Sequence, residues 1–347
     1  MADSLDRMLL PGGKRLAPGR PQARMTMLAA PALVLLATCA IPAAAAPSAA
    51  TRFDGPCDAS AAIALDAGHF VVGNDEDDTL HIYRFGQPAA VRSVDLKSFL
   101  ATAPREESDI EGAAAVGKRI YWITSHGRNA KGKHQPSRHR LFATDVLPGN
   151  PPALLPVGRP YTTLLDDMLA AAPLAPYGLA SAAQRAAEAE GGLNIEGLAA
   201  TPEGTLLIGL RNPVPRGRAL IVPLLNPDRL IEGERARFGT PVELDLGQRG
   251  IRSIERIGNG YLIVAGPPAD TGSFALYRWT GVPGDPARQV PGANLGDLRP
   301  EALFAIPGSG HIQLLSDDGG IRIGGVECKK LPSGRQQFRG LTVEVTP

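Results

Sequence analysis

The chain has 347 residues, and its 36 lysines and arginines nearly balance its 35 aspartates and glutamates, for a net charge of +1. This balance excludes a strongly basic nucleic-acid-binding protein and gives no electrostatic attraction to an anionic membrane surface. With 44% hydrophobic residues the chain can bury a sizeable core, which excludes an intrinsically disordered protein.

The first 45 residues are predicted to be a leader rather than part of the fold. Arg20 and Arg24 supply positive charge, residues 28–41 are apolar, and the small residues 43–45 form a cleavage site. The apolar stretch is shorter than the ~20 residues that a membrane-spanning helix needs. We therefore expect cleavage after Ala45, no membrane span in the mature chain, and export to the periplasm or the extracellular space.

Two alternatives for this leader stay open. Residues 36–39 resemble a lipoprotein cleavage box, which would make Cys39 a lipidation site. Residues 1–24 are rich in Pro, Gly and Arg, so that translation could instead begin at Met25 or Met27. Without residues 1–45 the chain carries 31 Lys and Arg against 33 Asp and Glu, and nucleic acid remains an unexpected partner.

A repeated unit follows the leader and predicts the fold. Each copy is a short apolar strand, a turn that contains glycine, a second apolar strand and a polar loop. Few stretches with helical composition separate the copies, which argues against alternating strands and helices. We predict an all-β protein with one domain over residues 46–347, a monomeric β-propeller. The copies begin near Asp58, Asp109, Asn194, Arg252 and Arg299.

Five copies predict five blades. A sixth blade is the alternative, because the terminal segments and residues 240–246 could assemble another sheet. The first copy is degenerate, since Ser60 stands where the other copies have a glutamate.

Residues 161–190 interrupt the repeat and are predicted to be a helical insertion. Residues 163–172 and 181–190 are rich in Ala, Leu, Glu and Gln, which favour helices, and Pro173 and Pro176 separate the two segments. The insertion could be a lid over the channel or a brace on one rim.

Two cysteines remain in the mature chain, Cys57 near its start and Cys328 near its end. An even pair in an exported protein indicates a disulfide. A propeller must join its first and last blades, and these residues lie at those ends. The prediction is a disulfide with Cα atoms less than about 7 Å apart; two buried free thiols are the alternative.

Four copies place a glutamate at the head of the first strand. In a propeller blade the first strand lies nearest the axis and the second runs antiparallel to it, so the start of one and the end of the other share a rim. We therefore expect these glutamates to meet the loops that end the second strands. The predicted ligand-binding rim comprises Glu111, Glu196, Glu255, Glu301, Arg211, Asn212, His126 and Asp317.

Several carboxylates near one axis have two possible roles. Glu111, Glu196, Glu255 and Glu301 could hold Ca²⁺ or another divalent cation through oxygen ligands. Alternatively, each could accept hydrogen bonds from the next blade and lock the ring. In either case the carboxylates repel one another and need compensation, for which the nearby candidates are Arg211, Arg252 and Arg299.

A basic loop over residues 125–140 contains three histidines, His126, His134 and His139. Three histidines can ligate a metal, but their spacing matches no compact ligand motif. The favoured interpretation is a flexible exposed loop that attracts anions weakly.

Residues 209–219, GLRNPVPRGRA, are similar to the GLRGPV-type signature of a bacterial family known as domain of unknown function family 3616. The NIEGL of residues 194–198 and the DIEG of residues 109–112 resemble the acidic motifs of that family. The resemblance extends over about residues 61–316, with Asn212 where the signature has glycine. It implies a secreted, propeller-like protein and no assigned reaction.

The sequence contains no G-x-S-x-G elbow, no H-E-x-x-H and no phosphate-cradling P-loop. The prediction is therefore an exported propeller that binds a small molecule, an envelope component or a cation at the glutamate-bearing rim. The alternative is a cation-dependent hydrolase of phosphate esters or lactones, in which the metal activates water and the arginines neutralise the substrate.

Overall fold

A computed structural model describes residues 50–104, 106–269 and 271–345. It contains five four-stranded antiparallel sheets. The innermost strand of each sheet packs against the innermost strands of two neighbouring sheets, so that the ring closes. The predicted five-bladed propeller is confirmed. The predicted leader, with Cys39, lies outside the described residues.

Four blades are each built from consecutive strands that run outwards from the centre in chain order. Blade I contains β2 (Ala61–Ala64), β3 (His69–Gly73), β4 (Thr79–Arg84) and β5 (Ala90–Asp95). Blade II contains β6 (Ile110–Val116), β7 (Arg119–Thr124), β8 (Leu141–Leu147) and β9 (Ala153–Tyr161). Blade III contains β10 (Asn194–Ala200), β11 (Leu206–Asn212), β12 (Ala219–Leu224) and β13 (Val242–Leu244). Blade IV contains β14 (Gly250–Ile257), β15 (Gly260–Gly266), β16 (Ala275–Trp279) and β17 (Arg288–Gln289).

Both ends of the chain build blade V. Its strands are β18 (Pro300–Ala305), β19 (His311–Ser316), β22 (Gln337–Glu344) and, outermost, β1 (Thr51–Asp54). Between β19 and β22 the chain forms a small hairpin of β20 (Arg322–Ile323) and β21 (Val326–Glu327). The six-blade alternative is wrong, because the terminal segment completes blade V and β13 completes blade III.

A disulfide joins Cys57 and Cys328, with Cα atoms 5.8 Å apart, as predicted. Cys57 lies between β1 of blade V and β2 of blade I, and Cys328 follows the hairpin of blade V. The bond therefore holds the place where the ring closes.

The hydrophobic core is divided into five clusters, one between each pair of neighbouring blades. This arrangement follows from the strands, whose apolar side chains alternate between the two faces of a sheet that is buried on both sides. The largest cluster lies between blades II and III and includes the helical insertion.

Helices are few and short. They are α1 (Lys97–Leu100), α2 (Leu164–Ala170), α3 (Leu179–Ala182) and α4 (Pro227–Leu230), with 3-10 turns at Pro136–Arg138, Ala172–Tyr177, Pro215–Gly217, Cys328–Lys330 and Ser333–Arg335. Within the described ranges no helix is long and apolar enough to cross a membrane.

The insertion is helical in its first part only. The segment from α2 to α3 lies outside the sheets as expected, but the helix predicted over residues 181–190 ends at Ala182, so that prediction is wrong for residues 183–190. Side chains from outside the segment hold its carbonyls instead: Arg128 donates to Ala183 at 2.8 Å, and Asn212 donates to Ala187 and Ala189 at 2.9 and 2.7 Å. These tertiary contacts override the local helix propensity.

Candidate ligand-binding pocket

Four inner strands carry a β-bulge at the same place, near their first residue. The register skips one residue in each strand: Glu111 in β6, Glu196 in β10, Arg252 in β14 and Glu301 in β18. A bulged residue is left out of the ladder, and its side chain is re-aimed. All four side chains line one pocket at one end of the channel, which we call the channel-mouth pocket.

This register corrects the predicted set of four glutamates. Arg252, not Glu255, is the fourth equivalent residue. Glu255 pairs with Leu262 three residues further along β14, roughly 10 Å away along the strand, and it is not among the described residues that line the pocket. The prediction matched the repeats by residue type. The strand pairing sets the position of the bulge, and in blade IV that position is an arginine.

Gly197, beside Glu196, and its partner Gly209 on β11 are required by the contact between blades III and IV. A Cβ added to Gly197 or to Gly209 would lie 2.7 Å from Cγ2 of Ile251. Real Cβ atoms do not approach so closely, so only glycine lets β14 pack against β10 and β11 here. The Glu-Gly pair thus combines a pocket residue with a packing residue.

The pocket has a volume of about 450 Å³, and every blade contributes to it. Among the described residues its lining includes eight carboxylates and six cationic side chains, with few apolar groups. The carboxylates are Asp58, Asp75, Asp109, Glu111, Glu188, Glu196, Glu301 and Asp317, and the cations are Arg128, Arg138, Arg211, Arg252, Arg299 and Lys329.

One part of the pocket is a buried ion-pair network across three blades. Glu196 of blade III contacts Arg211 Nη1 through Oε1 and Arg252 Nε through Oε2, both at 2.9 Å. Arg252 of blade IV also contacts Glu301 of blade V. The Asn194 amide donates to Glu196 Oε1 at 2.9 Å. This network links blades III, IV and V. The sequence suggested such links through hydrogen bonds from the next blade as one alternative, and here arginine side chains make them.

A second part is a group of crowded acids. Burial, and after it the charges of Glu196 and Asp109, hold the pKa of Glu111 well above its ordinary value. Burial and the charge of Asp109 do the same for the pKa of Asp75. Burial raises the pKa of Asp109 to about 6, although Arg138 Nη1 lies 3.0 Å from its Oδ2 and opposes the shift.

A third part is a pair of hydrogen-bonded carboxyls, Asp58 and Asp317. Burial and the bond to Asp317 raise the pKa of Asp58. Burial alone would raise the pKa of Asp317, but the bond from Asp58 and the Gly319 amide at 2.9 Å outweigh it and lower that pKa. Two carboxyls can share a hydrogen bond only if one is protonated, and the environment assigns that proton to Asp58.

Four oxygens of described pocket residues have no hydrogen-bond donor: Asp58 Oδ1, Asp75 Oδ1, Asn194 Oδ1 and Glu196 Oε2. The last of these still has the ion-pair contact with Arg252. Asp58 and Asn194 are each only 4% exposed. They are acceptors at the pocket wall that a bound group with O–H or N–H bonds would satisfy.

The predicted rim residues therefore fall into two groups. Glu111, Glu196, Glu301, Arg211 and Asp317 line the pocket, whereas Glu255, Asn212 and His126 do not. Asn212 is occupied with carbonyls of the insertion, and His126 is buried in the loop of blade II. As the described side chains stand, no group of three or more His, Cys, Asp or Glu is placed to hold a metal ion.

Sequence reasoning assigned no site role to several pocket residues. Asp109 is predicted only as the start of an acidic motif, and Asp75 is left out of the predicted rim although its loop ends the second strand of the first copy. The degenerate first copy begins at Asp58, and matching the copies at their glutamate position selects Ser60, two residues later, instead of Asp58. The one available signal was position, since Asp75 and Asp317 both follow a second strand.

A family model agrees with the sequence resemblance. The model described as a protein of unknown function (DUF3616) matches residues 58–145 and 174–310, well over half of the chain. The chain belongs to this family. The unmatched residues 146–173 include α2, so that helix lies outside the part the family model covers. No curated protein is significantly similar to the chain.

Solved structures with a similar course of the chain share little sequence with it. Glutaminyl cyclase of Myxococcus xanthus is 14% identical, with 87% of this chain and 100% of that chain covered and a TM-score of 0.42. The GH43_1 enzyme of Xanthomonas citri is 12% identical, with 85% and 91% covered and a TM-score of 0.45. The PQQ-bound aldose sugar dehydrogenase of Streptomyces coelicolor is 10% identical, with 86% and 99% covered and a TM-score of 0.41. Likeness at this level carries no argument about activity.

Proposed function

We propose that this protein binds a small, highly polar ligand in the channel-mouth pocket, and that the ligand brings hydrogen-bond donors or a divalent cation to the carboxylates there. The observation that carries the proposal is the set of buried acceptors, Asp58 Oδ1, Asp75 Oδ1 and Asn194 Oδ1, which have no donor among the described residues. A buried polar group without a partner costs about 1–3 kcal/mol, and a ligand that satisfies it recovers that free energy.

The pocket wall restricts the chemistry of the ligand. Its volume of about 450 Å³ suits a molecule the size of a sugar or smaller. Both signs of charge line it, and Phe274 is the one aromatic side chain among its described residues. These features favour a hydroxyl-rich molecule, or a hydrated cation, over an apolar ligand.

A divalent cation is the simpler of the two forms. Burial first, and then the charges of neighbouring acids, raise the pKa values of Asp75, Asp109 and Glu111. A dication offsets the repulsion among these charges, and carboxylate oxygens are the ligands that Ca²⁺ prefers. Binding would then release protons from these acids.

A thermal-shift screen tests the proposal. The protein is heated with Ca²⁺, Mg²⁺, Mn²⁺ or EDTA, and separately with a panel of sugars and polyols. A ligand that binds the native state should raise the melting temperature with its concentration. Glu111→Gln should abolish the rise, whereas Glu255→Gln, on an inner strand but outside the pocket, should retain it. No rise with any compound, or equal loss in both variants, would contradict the proposal.

A cation-dependent hydrolase of phosphate esters or lactones is the second candidate. It is favoured by the Asp58–Asp317 carboxyl pair, which presents one acid and one base in the same pocket. Arg299 and Lys329 line the wall and could neutralise an anionic substrate. Chromogenic phosphate esters and lactones, assayed with and without added cation, should be turned over by the wild type and not by Asp58→Asn. No turnover by the wild type, or equal turnover by both, would contradict this candidate.

We also propose that the protein is exported and acts as a monomer, with the small ligand or a component of the cell envelope as its partner. The Cys57–Cys328 disulfide supports export, because such bonds persist in oxidising compartments. Mass spectrometry of fractionated cells should find the mature chain outside the cytoplasm with this bond intact. Cytoplasmic protein with two free thiols would contradict it.

A further inference from the structure

Three imidazole rings contact one another in the loop that joins β7 to β8 of blade II. The ring centres of His126 and His139 are 5.4 Å apart, and those of His134 and His139 are 4.8 Å apart. The sequence predicted an exposed loop, but His126 is only 2% exposed and His139 only 9%. The buried pair lies beneath His134, which is exposed.

The surroundings define the tautomer of His126. Its Nδ1 lies 2.8 Å from the carbonyl oxygen of Thr124. A carbonyl only accepts hydrogen bonds, so Nδ1 carries the proton and Nε2 carries a lone pair. In the described part of the chain, Nε2 of His126 and Nε2 of His139 have no hydrogen-bond partner although both are buried.

The backbone at His126 is also unusual. Its φ is +54°, in the left-handed region that non-glycine residues rarely adopt. Such a conformation persists where its surroundings impose it, and it is frequent at functional sites. Here it accompanies a buried imidazole whose amide donates to the Arg138 carbonyl at 3.0 Å.

The separations of the ring centres are those expected for histidines that bind one transition-metal ion. Zinc binds histidine nitrogens at about 2.0–2.1 Å in tetrahedral geometry, which places the ring centres of two ligands roughly 5 Å apart. Both observed separations are close to that value. A ligating histidine commonly donates its other ring N–H to a backbone carbonyl, as His126 does to Thr124.

We propose that His126, His139 and His134 form a binding site for a first-row transition metal that favours imidazole, with Zn²⁺ as the expected ion. The three nitrogens do not converge as the side chains stand, so binding requires the exposed His134 to turn inwards. Asp166, in the first turn of α2, interacts electrostatically with His139 and is a candidate oxygen ligand.

Two arginines beside the site shape its affinity. Arg128 donates to the carbonyls of Ala183 and Gly132, and Arg140 donates to those of Leu100 and Pro136, so both brace the loop. Burial, and after it neighbouring positive charges, lower the pKa values of His126 and His139 and keep both rings in the neutral form that binds metal. The arginine charges also oppose a bound cation. We expect an affinity weaker than that of a structural zinc site. The same loop supplies Arg128 and Arg138 to the channel-mouth pocket, so the metal would stiffen one pocket wall.

Isothermal titration of the full chain with Zn²⁺ tests the site. With excess Ca²⁺ present to occupy the carboxylates of the channel-mouth pocket, the wild type should still bind one Zn²⁺ ion. His134→Ala should weaken Zn²⁺ binding at least tenfold. His311→Ala, another exposed histidine, on β19 of blade V, should bind like the wild type. Both variants change exposed positions, and circular dichroism should show the wild-type fold in each.

Spectroscopy separates this site from adventitious binding. With Cu²⁺ as the probe, electron paramagnetic resonance should show coupling to imidazole nitrogens in the wild type and in His311→Ala, and weaker coupling in His134→Ala. No Zn²⁺ binding by the wild type, or equal binding by the two variants, would overturn the proposal. The outcome is independent of the pocket, because none of the three histidines is among the described residues that line it.

Discussion

At the residue scale, burial decides what each charged group does. The Glu196 side chain is 2% exposed and contacts two arginines, so its role is structural even though it lines the pocket. Glu111 lies at the equivalent bulge, but the neighbours that act on it most are acids. One repeated position therefore serves two purposes, because the partners differ from blade to blade.

Replacing Glu196 by Gln should destabilise the protein by about 3–5 kcal/mol, the usual result when one partner of a buried ion pair is removed. The change removes the buried carboxylate that Arg211 and Arg252 share, so that Arg252 retains Glu301 and Arg211 retains the more distant Glu188 at 3.6 Å. Urea unfolding measures the loss. Glu243→Gln is the matched control, because Glu243 contacts the exposed Arg216 and Arg218 and should cost less than about 1 kcal/mol. Equal losses would contradict the structural role of Glu196.

Glu255 should make the protein less stable as pH rises, whereas an acid in an ion pair makes it more stable. Burial raises its pKa to about 8, against the opposing charge of Arg256. The folded state then retains a proton that the unfolded chain releases near pH 4.5, so stability falls as pH rises from about 4.5 to 8. Glu255→Gln should remove this loss.

Unfolding curves measured at several pH values check the Glu255 prediction. The variant should exceed the wild type in unfolding free energy by at least about 1.4 kcal/mol at pH 8, the equivalent of one pKa unit, and should match it near pH 4. A constant difference at all pH values would show that Glu255 titrates normally.

At the scale of elements, the insertion depends on its contacts with the propeller more than on its own helices. The segment after α3 is held by Arg128 of blade II and Asn212 of blade III. The insertion also contributes Leu164, Met168 and Leu174 to the core between these blades. It is therefore a brace between two blades, with its last part attached by hydrogen bonds to carbonyls.

Asn212→Ala should loosen the end of the insertion without unfolding the ring. The variant loses the two hydrogen bonds to Ala187 and Ala189, worth about 0.5–1.5 kcal/mol each. Hydrogen exchange should become faster in residues 183–193 and remain unchanged in blade V. Asn226→Ala is the control, because Asn226 holds residues 235–237 in the same way. Unaltered exchange in residues 183–193 would contradict this attachment.

At the scale of the whole molecule, the ring closes where blade V contacts blade I. Blade V is assembled from strands of both chain ends, which are not consecutive in the sequence. Five of the nine phenylalanines lie there, and they pack edge to face, stacked or tilted with centres 5.1–6.2 Å apart. They are Phe53, Phe70, Phe85, Phe304 and Phe338. The disulfide reinforces the same contact. Aromatic packing and a covalent bond therefore both stabilise the blade that is assembled from the two ends of the chain.

Replacing both Cys57 and Cys328 by Ser should lower the unfolding free energy by about 2–5 kcal/mol, since the bond closes a loop of 271 residues. Urea unfolding with and without reductant measures this loss. Reductant should weaken the wild type to the level of the double variant and should not affect the variant. Asp58 and Lys329 flank the two cysteines and line the pocket, so ligand binding should weaken as well. A double variant as stable as the oxidised wild type would contradict this role.

The sequence alone determined the class of fold, and it favoured five blades and the disulfide over six blades and two free thiols. Pairs of apolar strands separated by glycine-containing turns recur five times. That pattern is local in the sequence, so it can be recognised without knowing which strands pair in the fold. The position of Cys57 and Cys328 at the chain ends indicated their pairing, because a closed ring brings those ends together. Glu111, Glu196, Glu301, Arg211 and Asp317 reached one pocket for the same topological reason.

Only the tertiary structure decided which residue occupies each bulge and which charge meets which. Strand register is a property of two paired strands, so the sequence of β14 alone could not distinguish Arg252 from Glu255. The burial of His126 and His139 likewise depends on the packing of a loop that is polar in sequence. The helix propensity of residues 183–190 gave way to hydrogen bonds from Arg128 and Asn212, since such long-range contacts outweigh the few tenths of a kcal/mol by which helix propensities differ.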